Sequence, residues 1–369
     1  EIDARPVSLR LRAARRSAKT GGMSETPPKL SSPTSDAPDG HETIAAFLRD
    51  AGLVAPNVTP RFTPLTGGVA SDIWKVEAGG RTFAVKRALE KLRVAREWLV
   101  PVTRNVSEVE WLQVAGSVVP NAAPKVLAHD AAIGAFAMEY LDPAQHPVWK
   151  TELAAGRADP AFAAQVGSTI ATIHAATAHS DDMARRFAND ALFHAIRLEP
   201  YIEATAQAYP DLTDTLMRLS RETLATKIAL AHGDVSPKNI LVGPKGPVLL
   251  DAECAWYGDT AFDLAFCLNH MLLKCLWTPP ARAGFLACFD ALAEAYRARV
   301  TWEPLAELER RAARLLPALF LARVDGKSPV EYIVNENDKA RVRRVAIPLI
   351  ASPPERLAQV RDAWAEEVG

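Results

Sequence analysis

The run His232-Gly233-Asp234-Val235-Ser236-Pro237-Lys238-Asn239-Ile240-Leu241-Val242, with Val248-Leu249-Leu250-Asp251-Ala252-Glu253 close behind it, carries more structural information than any other part of the 369-residue chain. Residues 240–242 and 248–250 are short apolar β-formers separated by Gly243-Pro244-Lys245-Gly246-Pro247, which reads as a hairpin with a turn-rich loop. Antiparallel pairing puts the start of the first strand beside the end of the second. Asn239 and Asp251 therefore lie side by side, with Glu253 next to them and Asp234 on the loop leading in.

Such a nest of oxygen atoms needs a cation. Two carboxylates about 4 Å apart repel by about 4 kcal/mol at an effective dielectric of about 20. Carboxylates and an amide, with no Cys or His pair nearby, suit Mg²⁺ better than Zn²⁺. The spacing from Asp234 to Asn239, followed by an acid at the end of the next hairpin, is that of phosphoryl-transfer loops. There an Asp meets the acceptor hydroxyl, an Asn holds metal and a later Asp holds metal at the phosphates. A lone H-x-D reads equally well as a hydrogen-bonded turn, and a lone D-x-E as a helix start. It is their combination across a strand-turn-strand unit that favours chemistry.

The rest of the composition is that of a globular enzyme. Apolar residues make up 49% and charged residues 24% of the chain, and the formal net charge is −1, which indicates neither a nucleic-acid footprint nor an anionic-membrane surface. No apolar run approaches the roughly 20 residues that cross a bilayer. The four cysteines, Cys254, Cys267, Cys275 and Cys288, form no C-x-x-C pair, so reduced, packed thiols in the cytoplasm are expected. Residues 1–22 are basic and precede Met23; they resemble a transit peptide, and equally a translated upstream segment or an expression tag. Residues 1–40 as a whole are expected to be a disordered leader and linker.

Residues 43–52 read as a helix with Ile44, Phe47 and Leu48 on one face. Residues 61–65, 73–76 and 81–86 read as an antiparallel meander punctuated by paired glycines. Gly67, Gly68 and then Ser71 sit where missing side chains would let backbone N–H groups approach a phosphate, although a Gly-Gly turn is also an ordinary hairpin connection. Lys86 strengthens the phosphate reading. It shares a strand face with small Ala84, and a lysine on a buried face needs an anion, which Glu108 or Glu110 on the following helix can supply.

Residues 136–141 read as a further strand. Beyond Pro143 the pattern turns helical, over residues 160–178, 212–226, 262–273, 282–298, 304–324, 329–334 and 339–349. The expected division is an N-terminal nucleotide-binding lobe over 41–142 and a C-terminal catalytic and acceptor-binding lobe over 143–369. His174 and His194 are expected to be structural, as is His232. Asp263 is either a first-turn helix acid or a brace that accepts N–H bonds from the catalytic loop.

In order, these pieces resemble the aminoglycoside phosphotransferase and choline kinase superfamily of small-molecule kinases. The resemblance rests on H-G-D-V-S-P-K-N and D-A-E, with A-V-K and E-V-E in support, and spans about residue 43 to the C-terminus. It implies an α+β, protein-kinase-like two-lobed fold with a small antiparallel-sheet N-lobe and a larger, mainly helical C-lobe. It also implies ATP and Mg²⁺ as cofactors and a small-molecule hydroxyl as acceptor, with no nucleic-acid or membrane partner. By its spacing, Glu110 rather than Glu108 would pair with Lys86, and the segment carrying Glu139 and Leu141 would be the hinge that receives adenine. Asp234 and Asn239 become the catalytic residues, and Asn239, Asp251 and Glu253 the metal ligands.

A narrower likeness is to methylthioribose kinases. It lies in the insertion from Leu89 to Asn105 with Trp98, the D-x-E, the phrase Trp256-Tyr257-Gly258-Asp259 and the late Arg343-Arg344 pair, which in that subfamily helps bind the sugar. Asn239 and the glycine loop depart from it. The expected activity is phosphorylation of a sugar-like or polyol hydroxyl, with an aminoglycoside or amino-alcohol kinase, or a nucleotide-binding pseudokinase, as alternatives. A protein kinase is disfavoured, since Phe262-Asp263-Leu264 follows Asp251 too closely for a peptide-binding activation segment.

Overall fold

The structure, a computed structural model, describes residues 38–65, 71–89 and 104–369. The expectations for residues 1–37, Gly67, Gly68 and Trp98 fall outside the described residues.

Five antiparallel strands form the first sheet: β1 (Arg61–Pro64), β2 (Ser71–Ala78), β3 (Arg81–Ala88), β4 (Val126–Asp130) and β5 (Ala135–Glu139), in the order β1-β2-β3-β5-β4. Central β3 is buried from Phe83 to Lys86. Its two faces have different fates because side chains alternate along a strand. Phe83 and Val85 join Trp74, Val76, Ala135 and Ala137 in a small core closed by Ile44, Phe47 and Leu48 of the Pro38–Asp50 helix. Lys86 turns the other way, toward the Arg104–Val118 helix.

That second helix ties the sheet to the rest of the molecule. Its Val109, Trp111, Leu112 and Ala115, with Phe136 of β5, belong to the large core that continues through the helical part. There the Pro160–Thr177 and Arg282–Arg297 helices approach so closely that a Cβ on Gly167 would lie 2.3 Å from Leu292 O. The Thr260–Trp277 helix runs through the middle, with every residue from Thr260 to Leu276 buried. The Leu305–Asp325, Glu336–Ala351 and Leu357–Val368 helices complete the molecule. The arrangement is α+β and kinase-like, a small antiparallel sheet above a mainly helical remainder.

Two short β pairs sit at the junction, β6 (Ala229–Ala231) with β9 (Trp256–Gly258), and the hairpin of β7 (Ile240–Gly243) with β8 (Gly246–Leu249). The hairpin turn is tighter than expected, with Gly243 opposite Gly246 and only Pro244 and Lys245 between them. Residues 329–334 are not helical. They fold back as turns, Val330 N–H donating to Arg323 O at 2.8 Å while Tyr332 stacks on Trp277. The four cysteines are buried and free. Among the described residues no helix is long and apolar enough to cross a membrane.

Candidate active site

Gly233 opens the loop that follows β6. Its φ is +78°, and a Cβ there would meet Cys254 O at 2.7 Å, so only glycine lets the loop pass the segment after β8. Asp263 fixes the same loop from below by accepting N–H bonds from His232 at 2.7 Å and Gly233 at 2.8 Å. His174 Nε2–H donates to it at 3.2 Å. Of the two readings for Asp263, the brace is the one its contacts describe. Burial opposes its ionisation, but the bond from His174 and the His232 N–H outweigh this and hold its carboxyl below the usual range.

His232 joins the loop to the hairpin. Its Nδ1 accepts from Asp234 N–H at 3.1 Å, so its Nε2 carries the proton and donates to Leu250 O at 3.1 Å. Burial lowers its pKa, which keeps the ring neutral in this role, and its edge packs on Trp111 at 4.6 Å. Asn239 closes the other side, its Nδ2 donating to Asp234 O at 3.1 Å and its backbone O accepting from Leu250 N at 2.8 Å. The register therefore brings residues 234, 239 and 251 to one place, as the hairpin argument expects.

Two cations hold the Asp234 carboxylate, which is only 4% exposed. Arg197 NH2 lies 2.9 Å and Lys238 Nζ 3.2 Å from the same atom, Oδ2. Burial favours the neutral acid, but Lys238 and Arg197 outweigh it and keep the carboxyl below its usual range. Opposite, Lys86 Nζ sits 2.7 Å from Glu108 and 2.5 Å from Asp251 Oδ1. Burial works against the Lys86 ammonium, yet the two carboxylates raise its pKa well above normal. Asp251 is correspondingly held well below its usual range. Its φ of +65° is a left-handed conformation that costs a non-glycine residue about 1–3 kcal/mol.

A divalent ion fits these donors. Asn239 spends its amide nitrogen on Asp234 O, which leaves its oxygen for a ligand beside the Asp251 carboxylate. Among the described residues no three His, Cys, Asp or Glu side chains form a metal cluster. One amide and one carboxylate, with the Glu253 charge close enough to act on Lys86, make the sparse oxygen set of a hard cation that keeps water and phosphate as further ligands.

A model of the phosphotransferase enzyme family, APH, matches residues 61–308, which covers both the Lys86 sheet and this loop. The chain belongs to that family. Methylthioribose kinase of Pectobacterium carotovorum subsp. carotovorum (strain PC1) is 27% identical over 245 residues, 59% of this chain and 60% of that protein. Methylthioribose kinase of Bacillus cereus (strain AH820) is 25% identical over 270 residues, 66% of this chain and 68% of its own length. The chain thus spans less than two thirds of the first of these relatives. Amicoumacin kinase hAmiN, solved with AMP-PNP, Ca²⁺ and Ami, superposes with a TM-score of 0.51 at 14% identity over 86% of this chain and 98% of that one, a likeness of fold.

Within this APH-family chain, three expected residues need correction. Glu108, not Glu110, pairs with Lys86; Glu110 lies 3.1 Å from Arg186 on a more exposed side. Two residues apart on a helix means about 200° of rotation, so only one of the two glutamates can face β3. Arg343 and Arg344 do not act as a pair. Arg343 grips Asp325 at 2.9 and 2.6 Å, and Arg344 reaches Glu367 at 2.7 Å on the last helix, so both are committed to carboxylates of the C-terminal helices. Of the remaining expected residues, Ser71 is buried at the start of β2, while Glu139 ends β5 with half-buried Leu141 just beyond.

Reading the sequence alone also missed Arg197 and Lys238. Arg197 lies in a π-helical stretch, His194–Glu203, that contains Pro200. Arg197 NH1 donates to Ile196 O at 2.6 Å, while Nε donates to Gly233 O at 2.6 Å. No local pattern announces such a residue, since its partners lie far along the chain. Lys238 stood inside the decisive motif, and its i,i+4 spacing from Asp234 was the available signal.

Proposed function

We propose that the protein transfers the γ-phosphoryl group of ATP to a hydroxyl of a small, sugar-like or polyol metabolite. The observation that carries this reading is the Asp234 carboxylate, clamped through Oδ2 by Arg197 and Lys238, beside Asn239 and across from the Lys86–Asp251 pair.

Asp234 Oδ1 receives the acceptor's O–H, orients its oxygen and takes its proton as the new O–P bond forms and the bond to the ADP oxygen breaks. A carboxylate held ionised by two cations is a weak base, which suits a loose transition state in which the proton leaves late. Lys86, oriented by Glu108, steadies the nucleotide phosphates. Asn239 and Asp251, with Glu253 alongside, would hold Mg²⁺, which would supply charge neutralisation at the phosphate oxygens. Glu139 and Leu141 mark the adenine end, and Ser71 the phosphate end. Relatives named as methylthioribose kinases support a ribose-like acceptor. The departure from those kinases at Asn239, and the carboxylates that occupy Arg343 and Arg344, stand against methylthioribose itself.

Asp234→Asn tests the assignment. Turnover should fall by about 10²–10⁴-fold while ATP-analogue binding, read by calorimetry, stays near the wild-type value. Retained turnover would remove Asp234 from the mechanism.

A further inference from the structure

The floor beneath Asp234 is built around an unmatched lysine. Phe266, His270 and Lys274 recur every four residues along the central helix and share one side of it. Lys274 is 1% exposed, and its ammonium lies 4.0 Å from the Trp277 ring centroid and 3.9 Å from that of Tyr332. Among the described residues it has ring faces for company and no ion pair or hydrogen bond. Glu331 is the carboxylate whose charge favours it, whereas Lys150 and Arg323 oppose it.

Its neighbours also hold donors in reserve. Arg323 spends NH1 on Tyr201 Oη and Ser328, and its Nε has no partner. His270 is 6% exposed with Nε2 unpartnered, and the buried Tyr332 hydroxyl is unpartnered as well. Buried polar atoms are ordinarily bonded, and around Lys274 three of them, Arg323 Nε, His270 Nε2 and Tyr332 Oη, are not.

This surface is continuous with the catalytic loop. His270 lies 5.5 Å from the Phe266 ring, and Phe266 lies 5.6 Å from Tyr201 and 6.0 Å from the Arg197 guanidinium that holds Asp234. His270 feels the charges of Arg323, Lys274, Lys238 and Lys150 together. The basic groups Lys150, Lys274 and Arg323 thus meet one carboxylate, Glu331, while Arg197 and Lys238 meet Asp234, Asp251 and Glu253. The surplus lies at the Lys274 and Arg323 end, away from the nucleotide.

We infer that this floor is an anion subsite and that the acceptor is a hydroxy acid, its carboxylate received by Lys274 and Arg323 with His270 and Tyr332 donating neutral hydrogen bonds. The inference rests on the phosphotransferase reading of Asp234. A carboxylate fits the donor set better than a phosphate ester, because the donors are a few side chains among ring faces rather than a nest of backbone N–H groups. Acceptors carrying ammonium groups would meet the surplus positive charge and be repelled.

The test uses the full chain with ATP and Mg²⁺ and compares matched probes: D-gluconate against sorbitol, D-glycerate against glycerol, with ethanolamine and glycerol 3-phosphate as further arms. Turnover and direct calorimetric binding are both read. At least one acid should exceed its neutral partner by about 10–100-fold in kcat/KM or affinity, the effect of one charge-assisted contact. Lys274→Met, and Lys274→Gln as the variant that keeps a polar side chain, should erase that preference while a thermal melt shows a folded protein. Equal or better use of neutral alcohols or ethanolamine overturns the anion subsite and leaves the kinase reading intact. Binding of an acid that depends on Lys274, without transfer to any probe, keeps the subsite and sinks the kinase reading. Preference for glycerol 3-phosphate assigns the subsite to phosphate and overturns the hydroxy acid, and failure of every acid to bind overturns the inference outright.

Discussion

Lys86 and Lys274 are both almost wholly buried, at 3% and 1% exposure, yet their surroundings are opposite. Lys86 has two carboxylates within 2.7 Å, and they hold its ammonium charged against the pull of burial. Lys274 lies between two aromatic faces, and burial drives its pKa down to about 6. Desolvation penalises both; the resident counter-charge decides the outcome. A lysine that owns its anions is a fixed part of the scaffold, whereas one without them is poised to accept an anion from solution. The two sides of the active site therefore differ in kind.

The comparison breaks most readily at Lys86. Lys86→Met strands Glu108, whose carboxyl burial already pushes up to about 7, next to Asp251. Breaking such a buried pair should cost about 3–5 kcal/mol in urea unfolding, and adding Glu108→Gln should restore part of it. A Lys86→Met protein as stable as wild type would show that the pair is not what holds this side together.

Arg197→Met comes next. It unties Gly233 O, Ile196 O and the Asp234 carboxylate at once, so a loss of about 2–3 kcal/mol is expected. Since Arg197 acts through Asp234, kcat should fall much more than the nucleotide KM rises. Equal changes in both would make its role merely structural.

Lys274→Met should instead stabilise the protein, and the gain should depend on pH. An unfolded lysine titrates near about 10.4, while folded Lys274, facing Lys150, Arg323, His270 and Glu331, titrates at about 6. Between these values the unfolded chain holds a proton that the folded chain has lost, so wild-type stability falls as pH drops. The wild type should lose about 1–3 kcal/mol relative to Lys274→Met between pH 9 and pH 7, with no further change below about pH 6. A difference that stays flat with pH would mean Lys274 keeps its proton inside, erasing the contrast with Lys86. The smallest effect belongs to Glu110→Gln, which should change stability by about 0.5 kcal/mol or less and leave turnover unaltered, while Glu108→Gln impairs it.

Much of this site is legible along the chain because its parts are close in sequence. A hairpin forces its first and last residues together, so Asn239 meets Asp251 whatever the remainder does. Asp263 was readable as an acid at a helix start, but its alternative as a brace could be chosen only once the β6 loop lay above it. The Glu108–Glu110 choice failed because family spacing does not report which side of a helix meets the sheet. Arg343-Arg344 misled for a similar reason. Neighbours on a helix point about 100° apart, and two different helices claimed them.

The amino-acid order by itself determined the hairpin, the alternation that turns Lys86 away from the apolar core, and hence the kinase-like α+β plan. These follow from periodicity and covalent proximity. Tertiary structure alone decided which charges are neutralised. Arg197 reaches Asp234 from a distant helix, and Lys274 meets Tyr332 from a segment expected to be helical. Ionic balance is a property of three-dimensional neighbours, and no local pattern encodes the absence of a partner.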